Sequence, residues 1–121
     1  MDQAQRAMQT ESGEVLYDVA DHVAVITLNA PERMNTISGP MLNDLTRLLI
    51  RANEDRDVRC VILTGNGRAF CAGLDLSELK ERDAGQGLYH SRMWHAALER
   101  VQYGPVPVIA ALHGAVVGGG L

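Results

Sequence analysis

Val106-Pro107-Val108-Ile109-Ala110-Ala111-Leu112-His113-Gly114-Ala115-Val116-Val117-Gly118-Gly119-Gly120 reads as an apolar strand over 106–112 that runs into a triple glycine, where a helix is expected to begin. Earlier, Cys60-Val61-Ile62-Leu63-Thr64 leads in the same way through Gly65-Asn66-Gly67 into Phe70-Cys71-Ala72-Gly73-Leu74-Asp75. Two strands ending in glycine turns can bring two backbone N–H groups to one point in space. Fixed amide dipoles converging in that manner hold a developing negative charge.

Working outward, segments 15–20 and 23–28 are β-rich and separated by Asp21-His22, which predicts an antiparallel hairpin. Pro31 then takes the chain out of the sheet. A helix is expected from about Ser38, with Pro40 in its first turn and Met41, Leu42, Leu45, Leu48, Leu49 and Ala52 on one apolar face. The nearly all-apolar run 60–64 predicts a strand buried on both faces of a parallel sheet. A short helix and loop are expected over 77–86, and a second helix over 88–103, burying Met93, Ala97, Leu98 and Val101 before Gly104-Pro105 stops it. The resulting order, ββαβ(α)αβ, is that of an α/β protein.

The 121 residues suffice for one domain, and 46% are apolar. Fifteen acidic and eleven basic residues give a formal charge of −4 with neither sign gathered into a run, so neither a nucleic-acid nor an anionic-membrane surface is indicated. Cys60 and Cys71 form no CxxC pair and read as reduced thiols. No apolar run approaches a membrane span. Residues 1–12 fit neither a signal nor a transit peptide and are expected to be a disordered tail, with 13–121 as the N-terminal part of a single domain and a cytoplasmic location.

Four segments in order and spacing carry a resemblance: Val23-Ala24-Val25-Ile26-Thr27-Leu28-Asn29-Ala30-Pro31, Asn35-Thr36-Ile37, Phe70-Cys71-Ala72-Gly73-Leu74-Asp75 and Gly114-Ala115-Val116-Val117-Gly118-Gly119-Gly120. From about Val15 to Leu121 the chain resembles the crotonase, or enoyl-CoA hydratase/isomerase, superfamily. The resemblance implies an α/β, crotonase-like spiral of repeated ββα units, here truncated after the triple-glycine turn, in a protein that assembles as a homotrimer or hexamer. It implies an acyl-CoA thioester substrate and an enolate-like intermediate. By the same resemblance the backbone N–H groups of Leu74 and Gly119 form an oxyanion hole. Ala72, Gly73, Leu74, Asp75, Leu76 and Ser77 line the CoA path with Gly118 and Gly119, and Arg33 lies near the CoA phosphates. The glutamates that many family hydratases use would fall beyond Leu121. Hydration of a 2-enoyl-CoA is the leading expectation. Double-bond isomerisation is the nearest alternative, and a catalytically silent CoA-binding or interaction fragment is a third. Coenzyme A belongs to the substrate, and neither a metal nor a further cofactor is expected.

The triple glycine departs from G-x-G-x-x-G, which argues against a dinucleotide turn. Asp75 reads either as a site carboxylate or as a cap for a short helix starting near Leu76. His22, His90, His95 and His113 lack a ligand set, and His113 is expected to be a hydrogen-bonded structural residue. Cys71 fits as a small packing residue rather than a nucleophile, and Trp94 and Met93 as core or pocket wall.

Overall fold

In the computed structural model, the described residues are 6–10, 12–75 and 84–121. They form a five-stranded mixed sheet with two helices: β1 (Arg6–Gln9), β2 (Val15–Ala20), β3 (Val23–Leu28), α1 (Gly39–Glu54), β4 (Cys60–Gly65), α2 (Ala84–Tyr103) and β5 (Val108–Ala110). Strands lie in sequence order, β1-β2-β3-β4-β5. The first two pairings are antiparallel and the last two parallel.

The expected hairpin is present, with Val15 opposite Leu28 and Ala20 opposite Val23. Its two turn residues, Asp21 and His22, both take left-handed backbone angles (φ 52° and 68°), as a tight two-residue turn between twisted strands requires. Along β2 and β3 every second side chain is buried: Val15, Tyr17 and Val19, then Ala24, Ile26 and Leu28. That face meets α1, which begins at Ser38. The Ser38 hydroxyl accepts a hydrogen bond from the Met41 amide, and Pro40 sits in the first turn, where its missing N–H costs nothing. Met41, Leu42, Leu48, Leu49 and Ala52 are buried from the helix side, with Leu45 packed against them.

Four expectations need correction. Residues 6–9, placed in a disordered tail, pair with β2 from Arg6 opposite Val19 to Gln9 opposite Leu16, satisfying a strand edge otherwise left open. Strand β4 is not buried on both faces. Only Val61 is fully enclosed, because helices cover one side of the sheet. Strand β5 is shorter than 106–112 and sits at the sheet edge, leaving Ile109 56% exposed. The second helix starts four residues earlier than expected and keeps Leu98 half exposed, while Ala97 is buried and Met93 and Val101 pack on the core. The triple glycine forms one 3-10 turn, Gly118–Gly120.

Candidate active site

The two glycine turns leave the same end of adjacent parallel strands, so the register of β4 on β5 sets them side by side. Beyond the strands the pairing continues. Phe70 N–H donates to His113 O (2.8 Å), Cys71 N–H to Ala115 O (3.2 Å) and Val117 N–H to Cys71 O (3.1 Å), closing a parallel bridge between Cys71 and Val116. The backbones are in near contact. A Cβ on Gly73 would stand 3.1 Å from Val117 O, and one on Gly118 3.7 Å from the Gly73 Cα. Gly73 (φ 110°) and Gly118 (φ 54°) both need the left-handed freedom of glycine. Gly119 does not. It is instead short of room, because its Cβ would meet Trp94 at 2.9 Å.

A third segment flanks the first turn. Asn35 is fully buried and left-handed (φ 55°). Its amide accepts from Ala30 N–H (2.7 Å) and donates to Asn66 O and Ala69 O (2.9 Å each), so one side chain binds the loop after β3 to the loop after β4. Ala72 N–H then donates to Met34 O (3.0 Å), Ile37 N–H to Gly73 O (2.7 Å) and Asp75 N–H to Ile37 O (3.0 Å), making a second parallel bridge, Ile37 with Leu74. Leu74 is thus held between two bridges while its own N–H and that of Gly119 donate to no group among the described residues.

Around this corner lies a charged cluster. Arg33 Nη1 is 2.8 Å from Glu14 Oε1, and its Nε donates to Thr36 O (3.2 Å) and lies 3.7 Å from Asp75 Oδ2. Ser38 Oγ donates to Glu14 Oε2 (2.6 Å). Burial pushes the Glu14 carboxyl up, but hydrogen bonds from Arg33 and Ser38 and the guanidinium charge outweigh it and hold the group below its ordinary value. The Glu14 hydrogen bond, working against burial, raises Arg33 further. Next to the turn, burial pushes the Cys71 thiol up and keeps it a neutral packing group. Both cysteines are free.

On the helix side, an apolar cavity of about 200 Å³ lies between α1, α2, the sheet and the triple glycine, with Ile37, Leu42, Phe70, Trp94 and Gly119 among its walls. Trp94 is therefore a wall of this cavity, one of the two readings its sequence left open. Met93 packs on the core. His113 is structural: its Nε2 is 3.0 Å from Gly67 O. No group of three metal-ligating side chains exists among the described residues, and no described helix is long and apolar enough to cross a membrane.

Of the site residues read from the sequence, Ala72, Gly73, Leu74, Asp75, Gly118 and Gly119 come together at this corner, and Arg33 lies beside it with its guanidinium turned toward Glu14. Leu76 and Ser77 lie outside the described residues. The structural roles of Asn35 and Glu14 are not legible in the sequence. A buried asparagine in an αL turn and an acid 19 residues from its arginine carry no local signal.

The enoyl-CoA hydratase/isomerase family profile matches residues 18–121. Over 118 residues the chain is 36% identical to an (E)-benzylidenesuccinyl-CoA hydratase of Thauera aromatica, an alignment covering 88% of this chain and 42% of that protein. It is equally, 36%, identical over 110 residues to a 1,2-epoxyphenylacetyl-CoA isomerase of Escherichia coli, with the same coverage of 88% and 42%. The crystal structure of an enoyl-CoA hydratase from Bacillus anthracis superposes with a TM-score of 0.80 at 38% identity, over 88% of this chain and 42% of that one. The chain spans about two fifths of the length of such relatives. With the family's profile running through both glycine turns and its fold shared over 88% of the chain, the chain belongs to the enoyl-CoA hydratase/isomerase family.

Proposed function

We propose that the protein carrying this chain adds water across the double bond of a 2-enoyl-CoA, with the thioester oxygen held by the N–H groups of Leu74 and Gly119. The observation behind this reading is that both amides are undonated and sit on backbones locked together by the Cys71–Val116 and Ile37–Leu74 bridges. As the water oxygen bonds to Cβ, electrons move toward the thioester carbonyl, and that oxygen takes up negative charge. Two preset dipoles then stabilise it without reorganising. A proton delivered to Cα restores the carbonyl and completes the addition. Carboxylates supplied beyond residue 121 carry these protons. The path of the CoA chain runs by Ala72, Gly73, Asp75 and Gly118, the groups that border the two donors.

Neither a metal nor a redox cofactor enters this scheme, because the thioester is the electron sink and the paired amides take its charge. A homotrimeric or hexameric assembly and a cytoplasmic location complete the reading. Isomerisation of an enoyl-CoA is the second reading. It has a specific support: the Escherichia coli isomerase is as similar to this chain as the Thauera aromatica hydratase.

The test is turnover of a short trans-2-enoyl-CoA by the protein that carries this chain, run in isotopically labelled water. Hydration gives a product heavier by one labelled water, and isomerisation gives one of unchanged oxygen content. In that protein Gly119→Pro, which deletes one donor, is expected to lower kcat by about 10²–10³-fold. Full turnover in a folded Gly119→Pro variant sinks the oxyanion assignment.

A further inference from the structure

The guanidinium of Arg33 is built into the protein rather than offered to a ligand. Nη1 is bound to Glu14 at 2.8 Å and Nε to the Thr36 carbonyl at 3.2 Å. Nη2 is sealed from solvent, with no hydrogen-bond partner among the described residues. Three carboxylates, Glu14, Asp75 and Glu32, lie within 3.9 Å of this one cation. Among the described residues, an anion approaching it meets net negative charge, which disfavours a phosphate. The sequence expectation that Arg33 lies near the CoA phosphates therefore finds no free donor face here.

What Arg33 does touch is the second bridge. Its Nε faces the Thr36 carbonyl on one strand segment and the Asp75 carboxylate on the other, so one rigid planar group spans the two segments on either side of the Ile37–Leu74 pair. Glu14 fixes the guanidinium from behind and is itself held by Ser38, the residue capping α1. We propose that Arg33 is a positioning residue. The chain Ser38–Glu14–Arg33–Asp75 transmits the fixed start of α1 to the Leu74 turn and sets the direction in which the Leu74 N–H points. This rests on the reading of Leu74 as an oxyanion donor. Fixed geometry matters there, since a displacement of about 1 Å costs about 10²-fold in rate.

The experiment compares Arg33→Met and Arg33→Lys in the protein that carries this chain, each assayed on an enoyl-CoA and on the matching enoyl-pantetheine thioester, which lacks the nucleotide phosphates. Positioning predicts a fall in kcat of about 10–100-fold for Arg33→Met, with little change in KM and equal on both substrates. Arg33→Lys is expected to recover part of it by restoring the pair with Glu14. The isosteric Asp75→Asn neutralises the far end of the clamp, and combined with Arg33→Met it should lose no more than the larger single loss. If Arg33→Met does not fold, Arg33→Lys and Asp75→Asn carry the same comparison. A rise in KM confined to the CoA substrate would identify a phosphate ligand and overturn the proposal, as would unchanged kcat on both substrates. Gly119→Pro, assayed alongside, separates the two ideas. An inactive Gly119→Pro with normal Arg33 variants removes the positioning role alone, and an active Gly119→Pro removes the oxyanion reading itself.

Discussion

The indole of Trp94 and the backbone of Gly119 are in direct contact: a Cβ on residue 119 would stand 2.9 Å from Trp94 Cη2 and 3.0 Å from Cζ3. Glycine is favoured at 119 by a neighbour from α2, whereas at 118 the left-handed backbone angle favours it. Gly119→Ala is accordingly expected to push the ring aside at a cost of about 1–3 kcal/mol. Trp94→Leu in the same chain should recover most of it. Denaturant midpoints of the single and double variants measure this, and additive losses would contradict the contact.

Gly114 is held far more severely. At φ 59°, its Cβ would lie 1.9 Å from the carbonyl oxygen of Arg68, a backbone atom that cannot swing away. Strain of about 1–3 kcal/mol from the left-handed angle adds to overpacking of similar size. Gly114→Ala is expected to cost about 3 kcal/mol or more and to separate the two glycine turns. Thermal unfolding checks the first effect, and faster amide exchange at Phe70 and Cys71 the second.

Asn35 carries three hydrogen bonds in a fully buried place. Asn35→Ala leaves the Ala30 N–H and the Asn66 and Ala69 carbonyls short of a partner, at about 1–3 kcal/mol for each group that water cannot reach. Asn35→Asp keeps the shape and the acceptor but faces two carbonyls with a negative oxygen, so it should be no milder. Chemical denaturation of both variants decides, and a neutral Asn35→Asp would refute the assigned donors.

Glu14 gives a pH dependence with a definite sign. Its folded carboxyl lies below the ordinary 4.5, so its contribution is fully present above that value and is lost as pH falls through the lowered folded value. Nearby Asp44 works against this and Arg33 for it. Glu14→Gln should be less stable at neutral pH and show a shallower decline below about pH 4.5. Melting temperatures of both proteins across the acid range provide the check. Parallel curves would mean the Arg33 pair contributes nothing to folding.

The hairpin and α1 were readable because their signals are local: alternating β-branched residues around a two-residue turn, and a serine cap before an apolar stripe at helical spacing. Strand β1 was not, since Arg-Ala-Met-Gln has no strand pattern and owes its conformation to the free edge of β2. The exposure of β4 and β5 also escaped prediction, because hydrophobicity reports what a strand could bury and not what covers it. At the site, the two glycine turns were legible from their strands. The surroundings of Arg33 were not, because Glu14 and Asp75 reach it only through the folded loops.

The hydrogen bond from His113 to Gly67 spans 46 residues, and the ties between the two glycine turns have the same reach. Hairpins and helices close within microseconds, whereas parallel pairing must first overcome the entropy of a long loop. A chain emerging from the ribosome therefore completes its hairpin and α1 well before its two glycine turns meet. Until β5 docks on β4 there is no corner at all, so the time at which it forms in a newly made molecule is set by topology rather than by any residue within it.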